Sequence, residues 1–259
     1  MEPGPLRRLV RHAHFAVACL VGALALVVIS GAALLYTLLF PRRGDGAIRL
    51  ARAFHAVMTT VLGWRVEVEG REHLDVSDPV VWMIRHQSNL DIVTLGGIYP
   101  PRTVVIGKKE VGNIPVFGWF FRATGNILID RRNFQSAVAA MDAAAEEVRR
   151  KRISVWVFPE GHRNQEQQLL PFKKGVFHLA IATQFPIVPI ATGPIADILD
   201  GHGWAVRPGT YRVRVLPPIP TEGLTAADVD QLAETVRARL QAAQDDLGAA
   251  LGLLGNRPG

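Results

Sequence analysis

"PVVWMIRHQSNLDIVT", residues 79–94, changes character in its middle. Residues 79–84 form an apolar run that reads as a β-strand. From Asn89 the pattern turns helical, with Ser88 or Asn89 as the expected N-cap. Between these lie His86 and Asp91, five positions apart. On a regular helix that spacing rotates the chain by about 500°, so the two side chains point roughly 140° apart. They meet only if His86 stands on the loop leaving the strand and Asp91 on the first turn of the following helix. A histidine with one ring nitrogen held by a carboxylate is fixed in one tautomer and can take a proton from a hydroxyl. A histidine capping a helix start has the same sequence pattern without chemistry, and this segment alone does not separate the two.

The same strand-to-helix alternation runs outward in both directions. "RVEVEG" (65–70), "TVVIG" (103–107), "NILID" (126–130), "ISVWVF" (153–158), "PIVPIAT" (186–192) and "YRVRVLPPIP" (211–220) read as strands. Helical stretches fall between them: "PVFGWFFRAT" (115–124), opened by Pro115, "NFQSAVAAMDAAAEEVRRK" (133–151) and "FKKGVFHLAIAT" (172–183). An amphipathic helix follows over 225–251. The expected fold class is therefore α/β, with a largely parallel sheet covered by helices on both faces. In such sheets chemistry gathers on the loops that leave the strands' C-terminal ends.

The N-terminal quarter is different. Residues 15–40, "FAVACLVGALALVVISGAALLYTLLF", carry no charge and are long enough to cross a hydrocarbon core of about 30 Å. The run is too long for the apolar part of a signal peptide, and Pro41-Arg42-Arg43 follows it in place of a cleavage site. Arginines flank it on both sides, so the positive-inside rule does not choose an orientation. One arrangement consistent with this is a helix that enters and leaves at the same leaflet. In "GAIRLARAFHAVMTTVLGW" (46–64), Arg49, Arg52, His55 and Thr59 make a polar stripe on an otherwise apolar helix. Such a helix suits a membrane interface, packing on the first helix, or cover for the sheet. The expectation is a membrane-anchoring helical pair over 1–64 and an α/β domain with a C-terminal helix over 65–259.

Composition agrees with a membrane-associated protein. The 259 residues are 49% hydrophobic, with a formal net charge of +6 and a mean hydropathy of +0.17. The positive balance favours an anionic partner without choosing among membrane, nucleic acid and acidic protein. Aromatic residues are only 7%, and neither a zinc-ligand spacing nor a nucleic-acid motif occurs, so no nucleic-acid partner is expected. The lone Cys19 rules out an intramolecular disulfide.

Three further polar stretches stand at strand exits. "GKKE" (107–110) offers Lys108 and Lys109, and "GNILIDRRN" (125–133) offers Arg131 and Arg132. In "VFPEGHRNQ" (157–165), Pro159 stops the strand, Gly161 permits an unusual backbone angle, and Glu160 and Arg163 supply opposite charges. Each basic site alone reads as solvated surface. Together, beside His86, they describe an anion pocket next to a base, and arginine suits a bidentate grip on phosphate.

These blocks carry a resemblance. "RHQSNLD" (85–91), "GNILIDR" (125–131), "FPEGHR" (158–163) and "PIVPI" (186–190) resemble, in order, the four blocks of the glycerolipid acyltransferase family. The likeness is closest to its 1-acylglycerol-3-phosphate (lysophosphatidic acid) branch and covers roughly residues 64–220. It implies that His86 is the general base and Asp91 its partner, with direct transfer of an acyl group and no covalent acyl-enzyme, metal or bound cofactor. It implies Lys108, Arg131 and Arg163 as ligands of the acceptor's phosphate, with Glu160, Gly161 and His162 shaping that wall. It also implies acyl-CoA or acyl carrier protein as donor, lysophosphatidic acid as acceptor, and an N-terminal pair embedded in one leaflet with the catalytic domain on the cytosolic face (of the inner membrane in a bacterium). Two positions depart from the usual family pattern: His162 stands where threonine is usual, and Arg85 where asparagine is more common. Other readings compete: an acyltransferase using glycerol 3-phosphate, another lysophospholipid or a lyso-aminolipid; a hydrolase with Ser88 as nucleophile, though no nucleophile-elbow glycines flank it; and a non-catalytic lipid-binding scaffold.

Overall fold

The computed structural model describes residues 5–41, 43–130, 134–166, 168–199 and 206–255. Seven strands form one sheet: β1 Trp64–Glu69, β2 Val81–Ile84, β3 Thr103–Lys108, β4 Ile127–Ile129, β5 Ser154–Val157, β6 Ile187–Thr192 and β7 Gly209–Val215. Their order across the sheet is β1-β7-β6-β2-β5-β3-β4. The five from β6 to β4 run parallel to one another. β7 is antiparallel to β6 and carries β1 parallel to itself at the edge. The sheet is thus largely parallel, as expected, with a reversed two-strand flank.

The helices are α1 Pro5–Leu39, α2 Gly46–Leu62, α3 Asp91–Leu95, α4 Phe117–Ala123, α5 Phe134–Lys151, α6 Gly175–Thr183 and α7 Val229–Gly255. Strand alternation decides what each face meets. From β2, Val81 and Met83 join a core with Val148 of α5, Phe177 of α6 and Leu240 of α7. Trp82 and Ile84 point the other way, into a core with Phe54 and Met58 of α2 and Val93 of α3. All four β2 residues are buried, as a strand covered on both faces requires. β7 lies near the rim and alternates: Tyr211, Val213 and Val215 are buried, while Arg212 and Arg214 face outward. There they meet Glu67 and Glu69 of β1 in register, Arg214 at 2.5 Å from Glu69.

α1 and α2 pack against each other and rest on the sheet side that holds α3. The apolar face of α2, with Leu50, Ala51, Phe54, Met58 and Leu62, is buried there, and Gly63 ends the helix at a φ of 67°. Its polar stripe is not wholly solvated, because His55 Nδ1 lies 2.6 Å from the carbonyl of Val93 in α3. Covering the sheet and packing on α1 are therefore both tasks of α2. Farther along, Ala33 of α1 and Leu50 of α2 form a small core with Phe120 of α4. The rest of α1 leaves large apolar side chains uncovered, Leu20 at 72% and Leu38 at 65% exposure among them.

Several helix starts differ from the expectation, α6 beginning at Gly175 and α7 at Val229. α4 begins at Phe117 and not at Pro115, because Val116 adopts a φ of 63° in a tight turn closed by the Phe117 N–H on the Pro115 carbonyl at 2.6 Å. α3 has no side-chain N-cap from Ser88 or Asn89. The Asp91 carboxylate turns back to take the preceding N–H groups itself, with consequences for the site.

Candidate active site

His86 sits two residues beyond β2, the strand at the middle of the sheet, and Asp91 opens α3. The carboxylate reaches back across the turn: Asp91 Oδ2 lies 2.6 Å from His86 Nδ1 and accepts the Gln87 N–H at 2.9 Å. Asp91 Oδ1 accepts the Ser88 N–H at 3.2 Å. With three partners the aspartate is fixed, and an acceptor on Nδ1 holds the ring proton there. Nε2 is then the basic nitrogen, with no partner among the described residues. The ring stacks on Phe158, centroids 4.3 Å apart, which fixes its plane. Asp91 is nearly buried while His86 is 23% exposed, so the pair is supported from within and open on its working side.

Gln87 turns the opposite way and anchors the loop. Its Nε2 is 2.8 Å from both Thr192 Oγ1 and the Gly193 carbonyl and 2.9 Å from the Tyr211 hydroxyl, and its Oε1 accepts the Ile195 N–H at 3.0 Å. Burial pushes the Tyr211 phenol above its ordinary value, and the Asp91 charge adds to that, so it remains a neutral partner. The fourth sequence block, "PIVPI", lies in β6 beside β2 and leads to these contacts.

The neighbour of β2 on its other side is β5, whose exit carries "FPEGHR". Gly161 has a φ of 74°, a conformation that favours glycine. A Cβ there would come within 3.2 Å of Lys173 Cγ, so the lysine stem passes directly over it. Glu160 is buried and does not face the solvent: its Oε2 accepts Asn164 Nδ2 and the Leu170 N–H, each at 2.9 Å. It holds the loop through Asn164 and the Leu170 N–H. The N–H of Asn164 in turn donates to the His86 carbonyl at 2.8 Å, tying the two strand exits together. His162 and Arg163 are exposed side chains on the cavity wall.

Next in the sheet comes β3, which ends at Lys108. Lys108 lines the same cavity, with Glu110 at 3.4 Å from its ammonium. Lys109 diverges to Asp130 at 3.2 Å. Arg131 and Arg132, expected at the β4 exit, lie outside the described residues. Among the predicted side chains, then, His86, Asp91, Lys108, Gly161, His162 and Arg163 border one cavity. Gln87, Phe158 and Asn164 were not singled out by sequence reasoning. Gln87 and Asn164 stand next to motif residues, and adjacency was the only available signal, since their roles depend on partners far along the chain.

The cavity holds about 1380 Å³, and its lining is mixed. His86, Lys108 and Arg163 are among its polar lining residues, while Phe15, Cys19 and Gly22 of α1, Met58 of α2 and Phe120 of α4 give it apolar walls. This arrangement combines an oriented base with cations for an anionic group and space for long apolar chains. Among the described residues no cluster of three His, Cys, Asp or Glu side chains is placed to hold a metal ion.

Comparison with known proteins agrees with this class. Residues 65–193 match the family described as Acyltransferase. The chain is 38% identical to the 1-acyl-sn-glycerol-3-phosphate acyltransferase of Saccharomyces cerevisiae over 76% of its length and 66% of that protein's. It is 33% identical to the Salmonella typhimurium protein of the same name, over 80% of this chain and 83% of the other. The crystal structure of PlsC, the 1-acyl-sn-glycerophosphate acyltransferase of Thermotoga maritima, has the same fold, with a TM-score of 0.73 at 22% identity and 98% coverage of both chains. The chain belongs to the acyltransferase family. Its aligned part spans only 61% to 68% of the length of the fungal and animal relatives it matches.

Proposed function

We propose that the protein is a membrane-bound acyltransferase that moves a fatty acyl group from an acyl thioester to the sn-2 hydroxyl of 1-acylglycerol 3-phosphate, giving phosphatidic acid. The observation that carries this reading is a single cavity lined by a carboxylate-held histidine, two cations and the apolar side chains of three helices. The yeast and Salmonella relatives are named for acyl transfer to the same acceptor.

His86 Nε2 takes the proton of the sn-2 hydroxyl as the oxygen attacks the thioester carbonyl carbon. Asp91 stabilises the imidazolium that forms and keeps its ring in place. When the tetrahedral intermediate collapses, the C–S bond breaks, and the imidazolium returns the proton to the departing thiolate. Arg163 and Lys108 hold the acceptor's phosphate, with Arg131 as a third contributor, and so fix which hydroxyl meets His86. Glu160, Gly161 and His162 shape that wall. The donor is acyl-CoA or acyl carrier protein.

α1 supports a membrane location: Leu9–Leu39 contains an 18-residue stretch with a mean hydropathy of 2.6 and is long and apolar enough to cross a membrane. We infer that residues 1–64 form the anchoring pair and residues 65–259 the catalytic domain, with the active site opening to the cytosolic face. An acyl chain buried between α1, α2 and α4 then reaches His86 without leaving an apolar environment.

The test is acyl transfer by purified protein in detergent micelles, offered both donors and a panel of acceptors at equal concentration. Preference for 1-acylglycerol 3-phosphate over lysophosphatidylcholine, glycerol 3-phosphate and monoacylglycerol supports the reading. Equal use of monoacylglycerol removes the phosphate grip from it.

A further inference from the structure

We infer that Arg85 is a positioning residue, which sets where Arg163 stands relative to His86 by holding the carbonyls on the far side of the 163–166 segment. The inference rests on the proposed phosphate-binding role of Arg163. Arg85 is the residue before His86, so the extended strand exit sends the two side chains to opposite sides. His86 faces the cavity, and Arg85 is driven into the protein, where it is 4% exposed.

A buried guanidinium requires acceptors. Arg85 finds them in the loop that carries the phosphate grip: Nη2 donates to the Asn164 carbonyl at 3.3 Å and to the Glu166 carbonyl. Burial pulls the arginine below its usual range, and the Glu160 carboxylate is the foremost charge opposing that pull. Nε of Arg85 and Oε1 of Glu160 are each buried without a hydrogen-bond partner among the described residues. The arrangement therefore depends on the charge of Arg85 and on its reach to two carbonyls.

The chain of contacts has a direction. Asn164 receives Arg85 on its carbonyl, gives its N–H to the His86 carbonyl and gives its amide to Glu160. Arg163 immediately precedes Asn164. Its backbone is thereby clamped against the same two residues, Arg85 and His86, that end the strand at the base. Removing the guanidinium leaves Glu160 without its cation and two carbonyls without a donor, so the segment shifts and Arg163 no longer meets a phosphate correctly spaced from His86. His86 itself keeps Asp91 and Phe158. The expected defect is in acceptor binding, not in turnover.

The test compares wild type with Arg85→Met, Arg85→Lys, Arg163→Ala and the double variant Arg85→Met/Arg163→Ala, in acyl transfer to 1-acylglycerol 3-phosphate at saturating donor. Arg85→Met raises the acceptor KM about tenfold or more, with kcat within about threefold of wild type. Arg85→Lys, which keeps the charge and reaches one carbonyl, recovers most of the loss. Because Arg85 acts through Arg163, the double variant has a KM within about twofold of Arg163→Ala alone. A loss in kcat with KM unmoved, or KM effects that multiply in the double variant, overturns the inference. If Arg85→Met does not fold, Arg85→Gln, which removes the charge but keeps a donor amide, and Arg85→Gln/Arg163→Ala carry the same comparison, with the same outcomes deciding it. Failure of the phosphate reading is recognised separately, by an Arg163→Ala variant with unchanged acceptor KM.

Discussion

Oδ2 of Asp91 lies 2.6 Å from Nδ1 of His86, and the same oxygen holds the Gln87 N–H at 2.9 Å. The aspartate thus orders both the ring and the backbone that carries it. Asp91→Asn with its NH2 group turned toward Nδ1 keeps an oxygen for the Ser88 N–H but leaves the Gln87 N–H without its acceptor. That NH2 group forces the imidazole proton onto Nε2, which removes the base. The expected kcat is at least about 100-fold lower in a protein that still unfolds cooperatively, with the melting temperature lowered by a few degrees, measured by acyl transfer and thermal unfolding in the same micelles. A variant retaining a third of wild-type kcat contradicts the tautomer argument.

The phosphate grip has a graded expectation. A charge-assisted hydrogen bond contributes about 1.5–3 kcal/mol, so Arg163→Ala raises the KM for 1-acylglycerol 3-phosphate by about 10- to 100-fold. Lys108→Ala has a smaller effect, because its ammonium is half-exposed and already has Glu110 at 3.4 Å. Neither variant changes turnover of monoacylglycerol, which has no phosphate. Equal losses on both acceptors show instead that the loop has collapsed.

Gln87 carries a stability prediction. Gln87→Leu fills similar volume but leaves the Gly193 carbonyl, the Ile195 N–H and the Tyr211 hydroxyl short of partners in a buried place. Stranding such groups costs about 1–3 kcal/mol. For a chain of this size the melting temperature falls by about 3–10 °C, as followed by circular dichroism. An unchanged melting temperature shows that the loop is held by something else.

Much of this was legible in the sequence because the central strands are buried on both faces and read as unbroken apolar runs. Spacing alone gave only the condition for the His86–Asp91 encounter, a strand-exit loop followed by a helix start, and the family resemblance made it an expectation. Other features depend on distant partners. The reversal of β7 and its pairing with β1 arise from strands some 140 residues apart. Arg85 stood out only as a departure from the usual asparagine, and its buried contacts with carbonyls near residue 165 lie far along the chain. Ser88 and Asn89 were reasonable caps by residue type, but Asp91 took the N–H groups around them. Residue type did not separate Lys108 from Lys109, only the family resemblance favoured Lys108, and in the structure Lys109 meets Asp130.

The cavity walls predict donor selectivity. Gly22 of α1 faces Met58 of α2, and a Cβ there would lie 3.1 Å from the Met58 methyl. Gly22→Leu pushes that side chain into the cavity and shortens the space beside α1. The variant favours shorter acyl chains than wild type, read from product chain lengths when mixed acyl donors compete. An unaltered chain profile shows that the acyl group does not lie there.

The most direct test of the central claim is transfer of a labelled acyl group to 1-acylglycerol 3-phosphate by wild type and His86→Ala side by side, with acyl-CoA and acyl carrier protein as donors. The account predicts phosphatidic acid from wild type with at least one donor and a loss of at least about 100-fold in His86→Ala. Phosphatidic acid formed by His86→Ala at the wild-type rate, or by neither protein with either donor, contradicts it.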